Sequence, residues 1–251
     1  MKVIGCQWDL AWEDPAANFL TASHLVEGDS ADLIILPEMF STGYSMDVAK
    51  VIEPEDFRTE AFLGELAARR GAAVLGGLVR ADDEGIAGNE LVAFGDDQKE
   101  LCRYRKNRPF PYTGESEVYA RGKEVEVFDW RGWKVAPLIC YDLRFPELFR
   151  RVTAKGAELI VVIASWPSVR VDHWVTLLRA RAIENLAYVV GVNRCGSDPQ
   201  FDYPGRSLVV DPWGEVVADA GRAEGSVRAE LDLNALRAWR NEFPALEDLE
   251  T

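Results

Sequence analysis

Histidine is nearly absent from this chain: 251 residues contain only two, His24 and His173. Cysteine is almost as scarce. Cys6, Cys102, Cys140 and Cys195 are widely scattered and form no CxxC pair. That combination argues against a structural zinc site. Positive charge is also in short supply, with 28 lysines and arginines against 42 aspartates and glutamates, a net charge of −14. Nucleic acid and anionic membrane surfaces are therefore not expected as partners. The densest basic run, over 103–108, is short and flanked by aromatics. No apolar run reaches the roughly 20 residues needed to cross a bilayer. The chain opens as Met1-Lys2-Val3-Ile4-Gly5-Cys6, without the pattern of a secretory leader. The expectation is a cytoplasmic protein with free thiols.

What is present suffices for one large core, since 48% of the residues are hydrophobic. Short aliphatic and alternating runs predict strands over 2–8, 31–37, 72–79, 89–95, 100–106, 124–130, 133–140, 158–165, 188–193, 207–211, 215–218 and 225–231. Helical spacing predicts helices over 14–26, 57–70, 146–155 and 172–187. Asp14 and Pro15 suit the start of the first, and Gly71 suits the end of the second. The alternation runs through the whole chain without linker or repeat. The expected organisation is one α/β domain over 1–251, with 234–251 as a C-terminal tail. The strand-only stretch over 72–106 points to a mixed sheet or two packed sheets.

Three of these strands deliver a reactive side chain at or near the carboxyl end, where open α/β folds collect ligands. The run over 31–37 delivers Glu38, the run over 100–106 delivers Lys106, and the run over 133–140 delivers Cys140. A carboxylate, an ammonium and a thiol are what acyl transfer through a thioester requires: a base, an oxyanion stabiliser and a nucleophile. The helix expected just after Cys140 would lower its thiol pKa. Taken singly, each residue has a plain alternative. Glu38 could cap the next segment, Lys106 could be a solvated base, and Cys140 could be a small buried hydrophobe.

The motifs around these residues, PEMFSTGYSM, YRKNRPFPYTGE, ICYDLRFPELFR and ASWPSVRVDHWVTLLRARAIENLAYVVGVNRCG, resemble the nitrilase (carbon–nitrogen hydrolase) superfamily over nearly the whole chain. PEMFSTGYSM, the CYDLRFP–ASWP pairing and the NEFPA tail look most like its ω-amidase branch, which hydrolyses the terminal amide of 2-oxoglutaramate and 2-oxosuccinamate. The resemblance implies a four-layer α-β-β-α sandwich and a homodimer with the 172–187 helix at its interface. It also implies an amidase that uses neither metal nor cofactor. Cys140 would be the nucleophile and Glu38 the general base. Lys106, with the backbone N–H of Tyr141, would hold the oxyanion, and Glu115 would orient the lysine, unless it is a solvent-facing loop acid. Other members of the superfamily, such as nitrilases, deaminated-glutathione amidases and N-carbamoyl hydrolases, are the alternatives, with a catalytically silent binding protein behind them.

A small amide that carries a carboxylate needs a local cation in so acidic a protein. Arg144, four residues after Cys140, is the first candidate and Arg170 the second. The alternative for Arg144 is an ion pair with Asp142 or Glu147. Phe40, Tyr44 and Trp166 are expected to wall the pocket, because each lies just past a strand end. The loop over 198–205 is a candidate rim. His173, on a helix face, is expected to be packed rather than catalytic, and Cys6, Cys102 and Cys195 to be buried structural thiols.

Overall fold

Uninterrupted runs such as Leu-Ile-Val-Val-Ile-Ala can be strands only if both faces are covered, and the computed structural model, which describes residues 1–249, covers them. The first half supplies β1 (Lys2–Gln7), β2 (Leu33–Ile35), β3 (Ala73–Ala81), β4 (Ala87–Phe94) and β5 (Glu100–Arg105). The second supplies β6 (Phe128–Trp130), β7 (Trp133–Ile139), β8 (Leu159–Ala164) and β9 (Tyr188–Asn193). It continues with β10 (Cys195–Ser197), β11 (Asp202–Pro204), β12 (Leu208–Val210), β13 (Val216–Asp219) and β14 (Gly225–Glu230). The helices are α1 (Pro15–Leu25), α2 (Val48–Val51), α3 (Arg58–Arg70), α4 (Glu115–Val118), α5 (Pro146–Ala154), α6 (Val171–Asn185) and α7 (Leu233–Glu242).

Two six-stranded mixed sheets result, ordered β14-β1-β2-β3-β4-β5 and β13-β12-β9-β8-β7-β6, and β10 and β11 form a separate hairpin. In each sheet the central strands are parallel, β1-β2-β3 in one and β7-β8-β9 in the other. Leu33, Ile35, Leu75 and Leu91 of the first sheet share a core with Leu138, Val161 and Val190 of the second. The opposite face of the first sheet packs Ile34, Val74 and Val92 against Ala22 of α1 and Leu63 and Leu66 of α3. The second sheet is covered by Leu148 and Val152 of α5 and by Trp174, Leu178 and Ala182 of α6. The architecture is the expected α-β-β-α sandwich.

The helix boundaries follow local chemistry. Asp14 caps α1 by accepting the Ala17 N–H at 3.1 Å. Gly71, at φ +58°, closes α3 in the left-handed conformation. Two differences from the sequence expectation have physical causes. The strand expected over 124–130 pairs only from Phe128, because side chains take carbonyls upstream: Asn107 bonds that of Glu124 at 2.7 Å and Lys155 that of Val125 at 2.5 Å. Cys140 leads into a five-residue 3₁₀ turn (Cys140–Arg144) before α5 begins. The tail is helical over α7, and positions 250 and 251 lie outside the described residues. No helix among the described residues is long and apolar enough to cross a membrane.

One close approach positions the site. A β-carbon at Gly77 would lie 2.5 Å from the Met39 nitrogen and 2.8 Å from the Glu38 α-carbon. Only glycine therefore lets β3 run against the Glu38 loop, where the Gly77 N–H donates to the Pro37 carbonyl at 3.2 Å and the Gly77 carbonyl accepts the Phe40 N–H at 3.1 Å. Gly77→Ala is expected to cost about 1–3 kcal/mol, typical of overpacking against atoms that cannot move aside. Thermal unfolding checks this, and an unchanged Tm would rule out the constraint.

Candidate active site

Glu38, Lys106 and Glu115 are fully buried at the carboxyl ends of the strands, the first two just beyond β2 and β5. The Lys106 N–H extends the β4–β5 pairing by one residue, donating to the Asn89 carbonyl at 2.9 Å. Gly114, at φ +79°, turns the chain so that Glu115 starts α4 facing inward. The ammonium of Lys106 then lies 2.8 Å from Glu38 Oε1 and 2.9 and 2.8 Å from the two oxygens of Glu115. Two carboxylates and one ammonium leave a net buried negative charge, and neutral donors offset it. Asn89 donates to Glu38 Oε1 at 2.7 Å and to Glu115 Oε1 at 2.9 Å. Ser165 N–H reaches Glu38 Oε2 at 2.8 Å, while the Tyr44 hydroxyl and Phe110 N–H reach Glu115 Oε2 at 2.8 and 2.5 Å. Burial alone would favour a neutral amine, but Glu115 and then Glu38 outweigh it and hold the Lys106 ammonium well above its usual range.

Cys140 directly follows β7 with φ +46°, a left-handed conformation that non-glycine residues seldom adopt. Asp142 holds the bend. One of its oxygens accepts the Ile139 N–H at 3.0 Å and the Tyr104 hydroxyl at 2.7 Å, and the other accepts the Arg108 N–H at 2.9 Å. Burial pushes the Asp142 carboxyl up to about 6 despite these donors. The expectation of a lowered Cys140 pKa is overturned. Burial, and next the Glu38 charge, push the thiol well above its usual range, and the opposing pull of Lys106 does not offset them. A short 3₁₀ turn separates the thiol from the expected helix, which starts at Pro146. A thiol in this setting needs an adjacent base, and Glu38 is the carboxylate at hand.

A narrow cleft opens over the sulfur, lined in part by Tyr44, Tyr141, Arg144, Trp166, Arg170 and Phe201. Among the described residues neither arginine pairs with a carboxylate. Arg144 stacks on Trp166 at 4.8 Å and bonds the His173 ring nitrogen at 3.1 Å. Its two candidate partners are engaged elsewhere: Asp142 as above, and Glu147 with Arg108 at 3.0 Å. Burial, and next the Arg170 charge, lower the Arg144 pKa. Phe40 is a correction. It points away from the cleft into the helix-covered face of the first sheet, among Trp8, Phe19 and Phe62. The positive φ of Met39 (+47°) turns the chain there, so lying beyond a strand end did not settle which way the ring faces.

Sequence reasoning missed Asn89, Asn193 and Ser165. A signal was available for two of them, since Asn89, beside Glu90 in β4, and Asn193, at the end of β9, are side-chain amides in otherwise apolar strands. Asn193 bonds Trp166 through both its N–H and its carbonyl, at 2.7 and 3.1 Å, and so sets one cleft wall. The loop over 198–205 does reach the cleft, through Phe201. It is tied down by buried Arg194, which bonds Asp9 at 2.7 Å and stacks on Tyr203, whose hydroxyl donates to Asp198 at 2.5 Å.

Comparison with known proteins decides the family. The carbon–nitrogen hydrolase profile matches residues 3–241. The chain belongs to the carbon–nitrogen hydrolase family. This hydrolase is 37% identical to a 2-oxoglutaramate amidase of Bacillus subtilis over 98% of its own length and 96% of the relative's. It is 38% identical to the ω-amidase YafV of Yersinia enterocolitica over 99% and 96%. Among solved structures it resembles XC1258 of Xanthomonas campestris, a CN-hydrolase superfamily protein with an arsenic adduct in its active site. That match has a TM-score of 0.94, 35% identity and coverage of 100% and 97% of the two chains. Nit3 of Saccharomyces cerevisiae, from branch 10 of the nitrilase superfamily, matches with a TM-score of 0.89, 30% identity and coverage of 97% and 94%.

The Asp142 arrangement yields a stability prediction. Asp142→Asn turns an amide N–H₂ toward one of three donors, which is expected to cost about 1–3 kcal/mol for the unsatisfied group. Tyr104→Phe leaves both backbone donors of Asp142 satisfied, removes only the longer bonds that the hydroxyl accepts from Asn107 at 3.3 and 3.1 Å, and should cost less. Denaturant unfolding of the two variants checks the order, and equal midpoints would contradict it.

Proposed function

We propose that this hydrolase removes the terminal amide of small 2-oxo dicarboxylic acid monoamides, 2-oxoglutaramate and 2-oxosuccinamate, and releases ammonia through a thioester on Cys140. The observation that carries the reading is the pair of arginines without carboxylate partners, Arg144 and Arg170, on the wall of the cleft that holds Cys140. Such a substrate has an amide at one end and a carboxylate at the other. The net charge of −14 repels it, so recognition falls to a local guanidinium, which binds a carboxylate through paired hydrogen bonds. The activities named for the relatives support the same substrate class.

The chemistry follows from the geometry. Glu38 takes the thiol proton as sulfur attacks the amide carbon, and the carbonyl electrons move onto oxygen. Lys106 and the Tyr141 N–H stabilise that oxyanion, and Glu115 keeps the ammonium in place. Glu38 gives its proton to the amide nitrogen, the C–N bond breaks, and ammonia leaves Cys140 acylated. Water then loses a proton to Glu38 and adds to the thioester carbon. The C–S bond breaks, the proton returns to sulfur, and the dicarboxylate departs.

One hydrolase domain over 1–251, acting in the cytoplasm as a homodimer, completes the reading. An exposed apolar strip supports the dimer. Ile183 of α6 is half exposed and packs directly over Gly214. The adjoining Trp213 ring lies 5.5 Å from Trp239, which stacks on exposed Phe243 at 5.5 Å. A strip of this kind on one face is the usual mark of an association surface.

Two outcomes are expected. Arg144→Ala should raise KM for 2-oxoglutaramate roughly 10- to 100-fold, the loss of a charged hydrogen-bonding partner, while kcat changes little. Cys140→Ala should release no ammonia. Retained turnover in Cys140→Ala, or wild-type kinetics on an amide without the carboxylate that match those on 2-oxoglutaramate, would sink the reading. Trp213→Glu combined with Phe243→Glu should give a monomer by light scattering, and an unchanged dimer mass would remove this face as the interface.

A further inference from the structure

Among the described residues Asn89 is the one neutral side chain that hydrogen-bonds both buried carboxylates. It sits on β4, 1% exposed, and its own backbone carbonyl holds the Lys106 N–H at 2.9 Å. Both N–H bonds of its amide are used, one on Glu38 Oε1 and one on Glu115 Oε1. Its side-chain carbonyl has no partner. A buried orphan acceptor costs free energy, so the amide is oriented for its donors at the expense of its acceptor. The reversed orientation would point a carbonyl at two carboxylates.

We infer that Asn89 is a positioning residue for the reaction: its single amide holds Glu38 and Glu115 together as carboxylates and turns Glu38 so that Oε2 stays on the side of Ser165 and the Cys140 sulfur. The geometry divides Glu38 into two halves. Oε1 is saturated by Lys106 and Asn89. Oε2 accepts only the Ser165 N–H, which also lies within reach of the thiol. The proton of Cys140 therefore has one oxygen to go to. The groups that face Glu38 are Lys106 beyond β5, Glu115 on α4, Cys140 beyond β7, the Tyr44 and Tyr119 hydroxyls, and Tyr203 of β11 at longer range. Only Lys106 among them is a cation. Removing the amide leaves two carboxylates on one ammonium with one fewer neutral donor each, and protonation of the set becomes easier.

The inference rests on Glu38 acting as base, so the test reads the thiol directly rather than amide turnover. Iodoacetamide alkylation of Cys140 is followed by mass spectrometry from acid to neutral pH. With Glu38 as base the wild-type rate is flat near neutral pH and falls only on the acid side, whereas in Glu38→Gln the flat region is lost and the rate falls with pH throughout, as for an unassisted thiol. A flat region that persists in Glu38→Gln would overturn the base assignment itself. In Asn89→Ala the limb is expected to move to higher pH by about one unit, the equivalent of one hydrogen bond to a charged group. The nearly isosteric Asn89→Asp, with a third carboxylate on one ammonium, should move it further. KM for 2-oxoglutaramate should stay within about twofold, because Asn89 does not line the cleft, an effect expected of a group acting through another. If the acid limb of a folded Asn89→Ala or Asn89→Asp begins where it does in the wild type while Glu38→Gln has no flat region, the role of Asn89 is only structural and the inference falls. Asn89→Ser, which keeps one donor, should lie between wild type and Asn89→Ala.

Discussion

A buried ammonium shared by two buried carboxylates is the interaction on which the rest of this structure depends. Desolvating three charges costs several kcal/mol per ion, and direct pairing offsets that only when the remaining lone pairs are also met. Here they are met from every side: an amide on β4, hydroxyl and backbone donors from the loops, and the Ser165 N–H at the end of β8. No single element could bring so many donors to one point. Two sheets, whose parallel centres place several carboxyl ends together, can. The aliphatic runs of those strands surround the charges with a dry, rigid wall; Glu115 and Glu38 hold Lys106 protonated against that dryness, which itself keeps Cys140 a thiol at rest.

Local strain sits where the reactive atoms are. Met39 and Cys140 both adopt positive φ without being glycine. Each is held by something immovable: Met39 by the backbone of β3 at Gly77, and Cys140 by the three donors gathered on Asp142. Residues in sparsely populated backbone regions persist only where the surroundings over-determine them. The two bends present Glu38 and Cys140 to the same small volume, and the strain is part of how the pair is aimed.

Substrate selection is a separate electrostatic problem with a separate answer. In the proposed function, the acidic protein repels small anions at long range and Arg144 and Arg170 reverse the sign at short range. Arg144 keeps its charge available because its neighbours are an aromatic face and an imidazole rather than a carboxylate. The nearby acids are occupied, Glu147 by Arg108 and Asp142 by Tyr104 and two backbone donors. That prior engagement leaves the guanidinium free for a ligand.

The sequence alone determined the order and type of the main elements, because buried strands announce themselves as short aliphatic runs and helix ends as Asp14-Pro15 or Gly71. It also determined which reactive residues end those strands, Glu38, Lys106 and Cys140, and its motifs pointed to the family. Only the tertiary structure decided what depends on direction and distance: that Phe40 turns into the core while Tyr44 faces the cleft, and that Arg144 is unpaired by carboxylate. It also decided that the Cys140 thiol is raised rather than lowered, and that Asn89 links the two glutamates. The reason is physical. Periodicity along the chain reports whether a residue is buried, whereas side-chain partners and protonation depend on groups tens of residues away, brought into contact only when both sheets are packed.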